Sequence, residues 1–480
     1  RHEYCSLKIF STCILFMFKP QVTGPAVLVM CTDSGKRLYP HSRRCIRLRS
    51  HADWKHKLEN RDRPLHSDVS AQPLRIALLG YRSNPFSGGQ GVYLKYLSQA
   101  LTELGHHVDV ISGEPYPDLD PRVGLIKLPG LNLYAHKRPS RALSLRQFFQ
   151  PTDFFEWLSF LSGGFPEPYT FGRRLVSYLK SEQPQYDIIH DNQSLCTGLL
   201  KSAKLGYTVV TTIHHPITFD RDIALANTPD WGMRLLVRRW YNFLNMQMKV
   251  ARNVKHIVTV SENSKIDIAA DFGVNPSQLT VVYNGIDCNT FRTQSDIERL
   301  PFNLITTASA DQPLKGTQHL IPAFAELVEE FPKLKLTFIG APKPGGHTEQ
   351  SIKTLGLEER IEFLHGISTQ RIVELYASAA IAIVPSEYEG FGFPAGEAMA
   401  CGVPVVSTDG GALPEVVGDA GIIVPSKNPQ ALAAGIRSLL LDQERREALS
   451  LAGRARILNE FNWSNVALQM TDFYTKAMCS

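Results

Sequence analysis

One stretch constrains the chain more than any other: Pro385 to Val406, reading PSEYEGFGFPAGEAMACGVPVV. The apolar run Ala380 to Val384 enters it and reads as a buried strand. Gly390 and Gly392 make a loop that can bring backbone N–H groups close to a ligand. Pro394 suits the first position of a helix and Gly402 the position just past its end. Val403 to Val406 then reads as the next buried strand. A strand, a glycine loop and a helix N-terminus in succession make an anion site. Glu389 and Glu397 bracket that site with seven residues between them. Carboxylates repel phosphate and suit hydroxyls. The expected ligand therefore carries phosphate and sugar-type hydroxyls together.

At 480 residues the chain exceeds one hydrophobic core, which predicts two domains. The net charge of +5 is misleading. Residues 1–72 hold 13 Lys and Arg against 6 Asp and Glu, while the remainder holds 38 against 40. The body is close to neutral, so nucleic acid is not expected as a partner. The 8 cysteines include no C-x-x-C pair, which excludes a disulfide framework and a zinc-site spacing and favours a reducing, cytoplasmic compartment.

Residues 1–72 differ in texture from the rest. Ile9 to Phe18 is apolar but too short to span a bilayer, and with its basic start it weakly resembles a secretion signal. His41 to Arg63 is rich in Arg and His without periodicity. A disordered N-terminal extension is expected. From Leu74 onward strand and helix signals alternate. Strands are expected at Arg75–Gly80, Val108–Ile111, Asp187–His190, Thr208–Ile213, His256–Val260 and Leu279–Tyr283. After a polar linker, Cys288 to Pro301, a second series follows at Leu304–Ala308, Leu334–Ile339, Ile361–Leu364, Ala380–Val384, Val403–Val406 and Gly421–Val424. Amphipathic helices at Pro429–Leu441, Glu444–Phe461 and Ser464–Lys476 close the chain. Such alternation predicts two doubly wound parallel sheets, whose ligands bind beyond the carboxyl ends of the strands.

Several residues fall at those ends. Gly88-Gly89-Gln90-Gly91 follows the first strand. It is no dinucleotide fingerprint, because the third glycine would fall at Leu94, so it reads as a phosphate-approach loop or a plain turn. Lys315 stands where a helix begins, a poor place for a cation unless an anion sits there, which makes it a candidate diphosphate clamp. His214 and His215 follow Thr208–Ile213; adjacent side chains point different ways, so at most one is expected to face the cleft, where a histidine can donate to a hydroxyl or a phosphate oxygen. No second and third ligand at useful spacing accompanies them, so no metal is expected. The aromatic run Pro151 to Phe165, with Thr152 or Asp153 as a helix cap, reads as an acceptor lid, a membrane-surface patch or interdomain packing.

With these residues in hand, the chain resembles the family 4 glycosyltransferases, retaining enzymes of the GT-B architecture, over about residues 74–480. The resemblance is carried by the Glu-x7-Glu block from Glu389 to Glu397 and by Cys401 to Val406. Gly410-Gly411-Ala412-Leu413-Pro414-Glu415, Val282 to Asp287, and Gly88-Gly89 followed by Leu104 to Val108 also carry it. It implies that Glu397 holds ribose hydroxyls and that Glu389, Phe391, Gly392 and Phe393 contact the donor sugar. It implies that Lys315 and Gly88–Gly89 stabilise the diphosphate, and that His214 lies beside the sugar. Members of the family usually carry an arginine five residues before the lysine. Here that position is Ala310, so the expected phosphate clamp lacks a bidentate donor.

The expected fold class is α/β, with two Rossmann-like domains facing a cleft. Residues 73–290, joined by the helix 462–480, form the acceptor side, and 301–461 form the nucleotide-sugar side. The expected activity is hexosyl transfer from a nucleotide-diphosphate sugar to a hydroxyl acceptor, with retention and without metal or other cofactor. His214, Glu389 and Lys315 are its catalytic candidates. The acceptor is left as a carbohydrate or a lipid-linked group, and peripheral membrane contact stays open. The rivals are a nucleotide-sugar binding protein with weak transfer, a GT-B epimerase and a phosphorylase.

Overall fold

A computed structural model describes residues 72–85 and 89–480. Gly88 and the expected extension, apart from Gln72, lie outside these residues. One compact unit holds Leu74–Ser480 and contains two parallel sheets.

The first sheet has the order β3-β2-β1-β4-β5-β6-β7. Its strands are β1 (Arg75–Gly80), β2 (His107–Ser112), β3 (Gly124–Lys127), β4 (Ile188–Asn192), β5 (Thr208–Ile213), β6 (His256–Thr259) and β7 (Leu279–Val281). The second has the order β10-β9-β8-β11-β12-β13. It comprises β8 (Leu300–Thr307), β9 (Lys335–Ile339), β10 (Ile361–Leu364), β11 (Ala379–Val384), β12 (Val405–Thr408) and β13 (Ile422–Val424). Helices cover both faces, so β1 and β11 read as nearly unbroken apolar runs, and β5, though half threonine, is buried at every position but its first. In each sheet the strand order reverses beside the first strand, at β1/β4 and β8/β11. Ligand-binding crevices open at such switch points, outside the carboxyl ends of the strands.

Three differences from the sequence expectations have local causes. β3 was not expected: it is a four-residue edge strand with no fully buried position, so it lacks an apolar signal. β4 runs two residues beyond its expected end because Asp191, though charged, is satisfied inside the fold. It accepts from Thr211 Oγ1 at 2.9 Å and from Leu195 N at 3.0 Å. Gly89-Gln90-Gly91 is no turn but the first turn of a helix, Gly89–Glu103. Neither described glycine has a positive φ. Gly91 is needed because an added Cβ would collide with the Asn84 carbonyl.

The last helix, Trp463–Met478, packs on the first sheet. Its inward stripe of Trp463, Val466, Met470, Phe473 and Tyr474 joins the core formed by β1, β2 and the Gly89–Glu103 helix. Where the chain crosses, Ile286 N donates to Phe461 O at 2.6 Å. Trp463 stacks on Tyr96 with ring centroids 5.7 Å apart and meets Tyr93 edge-on at 5.8 Å. Trp463→Ala should therefore lower stability by about 3–5 kcal/mol. Urea unfolding checks this, and a loss under about 1 kcal/mol would show that the crossing helix is not anchored there.

Candidate active site

The Pro385–Gly392 loop leaves β11 and is gripped from two sides. On one side, Gly316 (φ +67°) lies so close to the Pro385 carbonyl that a Cβ could not be placed, and Glu387 N donates to Leu314 O at 2.8 Å. On the other, Gly410 and Gly411 press on Ser386, Glu387 and Glu389, and Ala412 N donates to Glu389 O at 2.9 Å. The loop then turns at Gly392 (φ +107°) into the helix Phe393–Ala400, whose end is closed by Gly402 at φ +69°.

This packing brings Lys315 to Glu389, with Nζ 2.6 Å from Oε1. Ser386 Oγ donates to the same oxygen at 2.8 Å. Lys315 lies in a short 3-10 turn rather than inside the helix, which begins at Thr317. The candidate phosphate clamp and a candidate sugar contact are thus one ion pair. Neighbouring Glu387 is held by His319 Nε2 and Gln318 Nε2, both at 2.8 Å, and by Lys427 Nζ at 3.0 Å.

Glu397 differs. It is half-buried, and among the described residues its carboxylate has no hydrogen-bond partner. Burial pushes its pKa up to about 8. Its charge is felt by Tyr96, Tyr376 and Cys401. A carboxylate kept partly from water and left unpaired is suited to accept from ligand hydroxyls. Phe391 is buried and Phe393 half-buried; their rings meet at 5.1 Å and form the floor of the loop.

The position five residues before Lys315 does not face the cleft. Ala310 is 2% exposed and packs into the core of the second sheet with Leu320 and Phe324. An arginine at this point of this backbone would be driven into apolar side chains, so the candidate clamp takes no guanidinium from this position.

The first sheet meets this loop directly. Gly390 lies against His214 O and the His215 side chain. Ser261 Oγ donates to Gly390 O at 3.0 Å, and Ser264 Oγ lies 3.2 Å from both Gly390 O and His214 O. Glu415 reaches across to the N-terminus of the Glu262–Phe272 helix, accepting from Glu262 N at 2.7 Å and Asn263 N at 2.8 Å. Tyr388 OH donates to Asp267 Oδ2 at 2.9 Å. His214, Lys315, Glu389, Phe391, Gly392, Phe393 and Glu397 therefore belong to one interdomain site. Gly89 opens the helix whose Gln90 carbonyl is tied to that site through Asn192.

His214 is held by groups that sequence reasoning missed. Asn192 Oδ1 lies 2.7 Å from His214 Nε2, and Gln193 Oε1 accepts the His214 backbone N–H at 2.8 Å. Burial, with a smaller effect of His215, holds the imidazole down to about 3, so it is neutral. The available signal was a pair of amides just past the carboxyl end of an apolar strand.

The aromatic run also departs from expectation. Its helix, Pro151–Leu161, starts after Gln150 with Pro151 in its first turn, so neither Thr152 nor Asp153 caps it. Its partners lie within the first half of the chain: Glu156 and Asp153 pair with Arg174 at 2.6 Å, and Phe160 packs on Leu131 and Leu133. It is not interdomain packing. Among the described residues no helix is long and apolar enough to cross a membrane.

Comparison with known proteins fits this geometry. Residues 87–290 match the model Glycosyltransferase Family 4, and residues 292–456 match Glycosyl transferases group 1. The MMP alpha-(1->4)-mannosyltransferase of Mycolicibacterium hassiacum is 44% identical over 411 residues, spanning 84% of this chain and 98% of that protein. The chain belongs to glycosyltransferase family 4. A D-inositol 3-phosphate glycosyltransferase of Catenulispora acidiphila is 26% identical, over 85% of this chain and 96% of its own. Among solved structures, sucrose-phosphate synthase from Thermosynechococcus elongatus aligns with a TM-score of 0.61 at 22% identity, covering 85% of this chain and 99% of its own. HepE of Anabaena in complex with UDP and glucose aligns with a TM-score of 0.61 at 19% identity, covering 84% and 100%. The fold of this family 4 enzyme is GT-B.

The raised Glu397 pKa gives the ligand-free glycosyltransferase a distinct pH dependence. A carboxyl whose folded pKa lies above its unfolded value stabilises the fold fully only below about pH 4.5, and loses that contribution as pH rises through about 8. Because the group is half-open to the cleft, the loss should be about 1–2 kcal/mol. Glu397→Gln should flatten stability against pH over that window. Denaturation at a series of pH values checks it, and an unchanged slope in the variant would contradict the assignment.

Proposed function

We propose that this glycosyltransferase moves a hexosyl group, mannosyl by analogy with its 44% identical relative, from a nucleotide-diphosphate sugar to a carbohydrate hydroxyl, with retention and without metal. The observation that carries this is the pairing of two unlike carboxylates around one helix N-terminus. Glu389 is neutralised by Lys315, and Glu397 is left unpaired. Glu397 would accept from the ribose hydroxyls of the nucleotide. The diphosphate would take Lys315 and the amides of the Gly392–Phe393 turn, and so release Glu389 toward the sugar. A nucleotide-sugar donor is in keeping with HepE, whose structures contain UDP and UDP-glucose.

In the transfer, the bond between C1 and the phosphate oxygen breaks while the acceptor oxygen bonds C1 on the same face. The acceptor proton passes to the departing phosphate oxygen. Positive charge fixed beforehand where negative charge develops lowers that barrier. Lys315 and the helix dipole supply it here, which is why the reading calls for no metal.

Turnover assays with UDP-, GDP- and ADP-linked hexoses test the reading, each with and without EDTA. One donor class should be consumed with retained anomeric configuration and no effect of EDTA. Glu397→Ala should cost about 10–100-fold in kcat/KM for the donor. Tight donor binding with no transfer to any saccharide would favour a binding protein, and failure of every nucleotide-sugar to bind would end the proposal.

A further inference from the structure

We propose that Asn192 and Gln193, at the carboxyl end of β4, are positioning residues that lock His214 as the Nε2–H tautomer, leaving Nδ1 as a hydrogen-bond acceptor for a donor-sugar hydroxyl. The inference rests on reading the cleft as the donor site.

Asn192 is 1% exposed. Its Nδ2 donates to Gln90 O at 3.0 Å. A carbonyl can only accept, so this contact decides which way the amide points and turns Oδ1 toward His214 Nε2 at 2.7 Å. An amide oxygen also only accepts, so the ring proton sits on Nε2. Nδ1 then carries a lone pair, and among the described residues no protein group bonds to it.

Gln193 fixes the backbone of the same residue. Its Oε1 accepts from His214 N and its Nε2 donates to His215 O, both at 2.8 Å. Gln193 has a φ of +54°, where side chains other than glycine are rare. These two bonds and a third from Gln247 Nε2 to its carbonyl, at 3.3 Å, hold it there. Tyr93 meets the His214 ring edge-on at 4.8 Å and closes one side.

The titratable groups facing the imidazole are Tyr93 from the Gly89–Glu103 helix, His190 from β4 and adjacent His215. Among the described residues none is a carboxylate, so nothing favours the imidazolium. An accepting nitrogen repels phosphate oxygens. The sequence expectation of a donating histidine is thereby reversed: His214 reads a hydroxyl.

Nitrogen-15 NMR of the histidine-labelled full chain tests this, with His214 identified by its loss in His214→Ala. Wild type should show the Nε2–H tautomer near neutral pH, Asn192→Ala a mixture, and Asn192→Asp the imidazolium, because a carboxylate beside Nε2 raises the pKa. Below that pKa Nδ1 becomes a donor. Asn192→Asp should therefore introduce a new ionisation into donor kcat/KM, with about a 10-fold fall on the acid side, absent from wild type. A proton on Nδ1 in wild type would overturn the proposal. So would variants that lose only thermal stability and keep the wild-type pH profile and donor KM. A correct tautomer in a protein that binds no nucleotide-sugar would instead overturn the reading of the cleft.

Discussion

The site depends on the absence of free space around one loop. Pro385–Gly392 is wedged between Gly316 and the Gly410–Gly411 turn, and neither side tolerates a Cβ. Protein interiors pack densely enough that such contacts act as fixed stops. Lys315 reaches Glu389 because Gly316 has no side chain, and the helix Phe393–Ala400 points its N-terminus where that loop ends. Pre-set geometry of this kind is what electrostatic catalysis needs, since charge must already be in place when a leaving group departs.

The same loop joins the two halves. Its Gly390 carbonyl takes the Ser261 hydroxyl, its Tyr388 reaches Asp267, and Glu415 beyond it caps a helix of the first half. Each contact lies beyond the carboxyl ends of strands, where a doubly wound sheet leaves its loops free. The crossing helix returns the chain from the second sheet to the first and brings Tyr474 OH to His190 at 2.6 Å. The buried hydrogen bonds continue from His190 to Thr212, 2.7 Å away, and from Thr212 to Tyr93, 3.1 Å away, under His214. The buried chain and the contacts to the Pro385–Gly392 loop thus converge on the two sides of His214.

Much of this was legible in the sequence because it is written locally. Alternating apolar runs and polar turns marked twelve of the strands, and Glu389, Glu397, Lys315 and His214 stood at strand ends where chemistry collects. What was not legible depends on contacts between distant segments. The two amides at Asn192 and Gln193 mark a strand end, but nothing in Ile188 to Gln193 says that they grip a histidine just past the neighbouring strand. The pairing of Lys315 with Glu389 spans 74 residues. The burial of Ala310 follows from packing against Leu320 and Phe324, not from its place in a motif. β3 escaped notice because an edge strand of four half-buried or exposed residues has no hydrophobic period.

The central claim is that Lys315, resting on Glu389, exchanges that carboxylate for the diphosphate of the donor. Calorimetric titration of nucleoside diphosphates and the matching nucleosides into wild type and Lys315→Met tests it most directly. The account predicts a loss of about 10–100-fold in diphosphate affinity with nucleoside affinity little changed, since a hydrogen bond to a charged group is worth about 1.5–3 kcal/mol. Equal diphosphate affinity in the two proteins would contradict it.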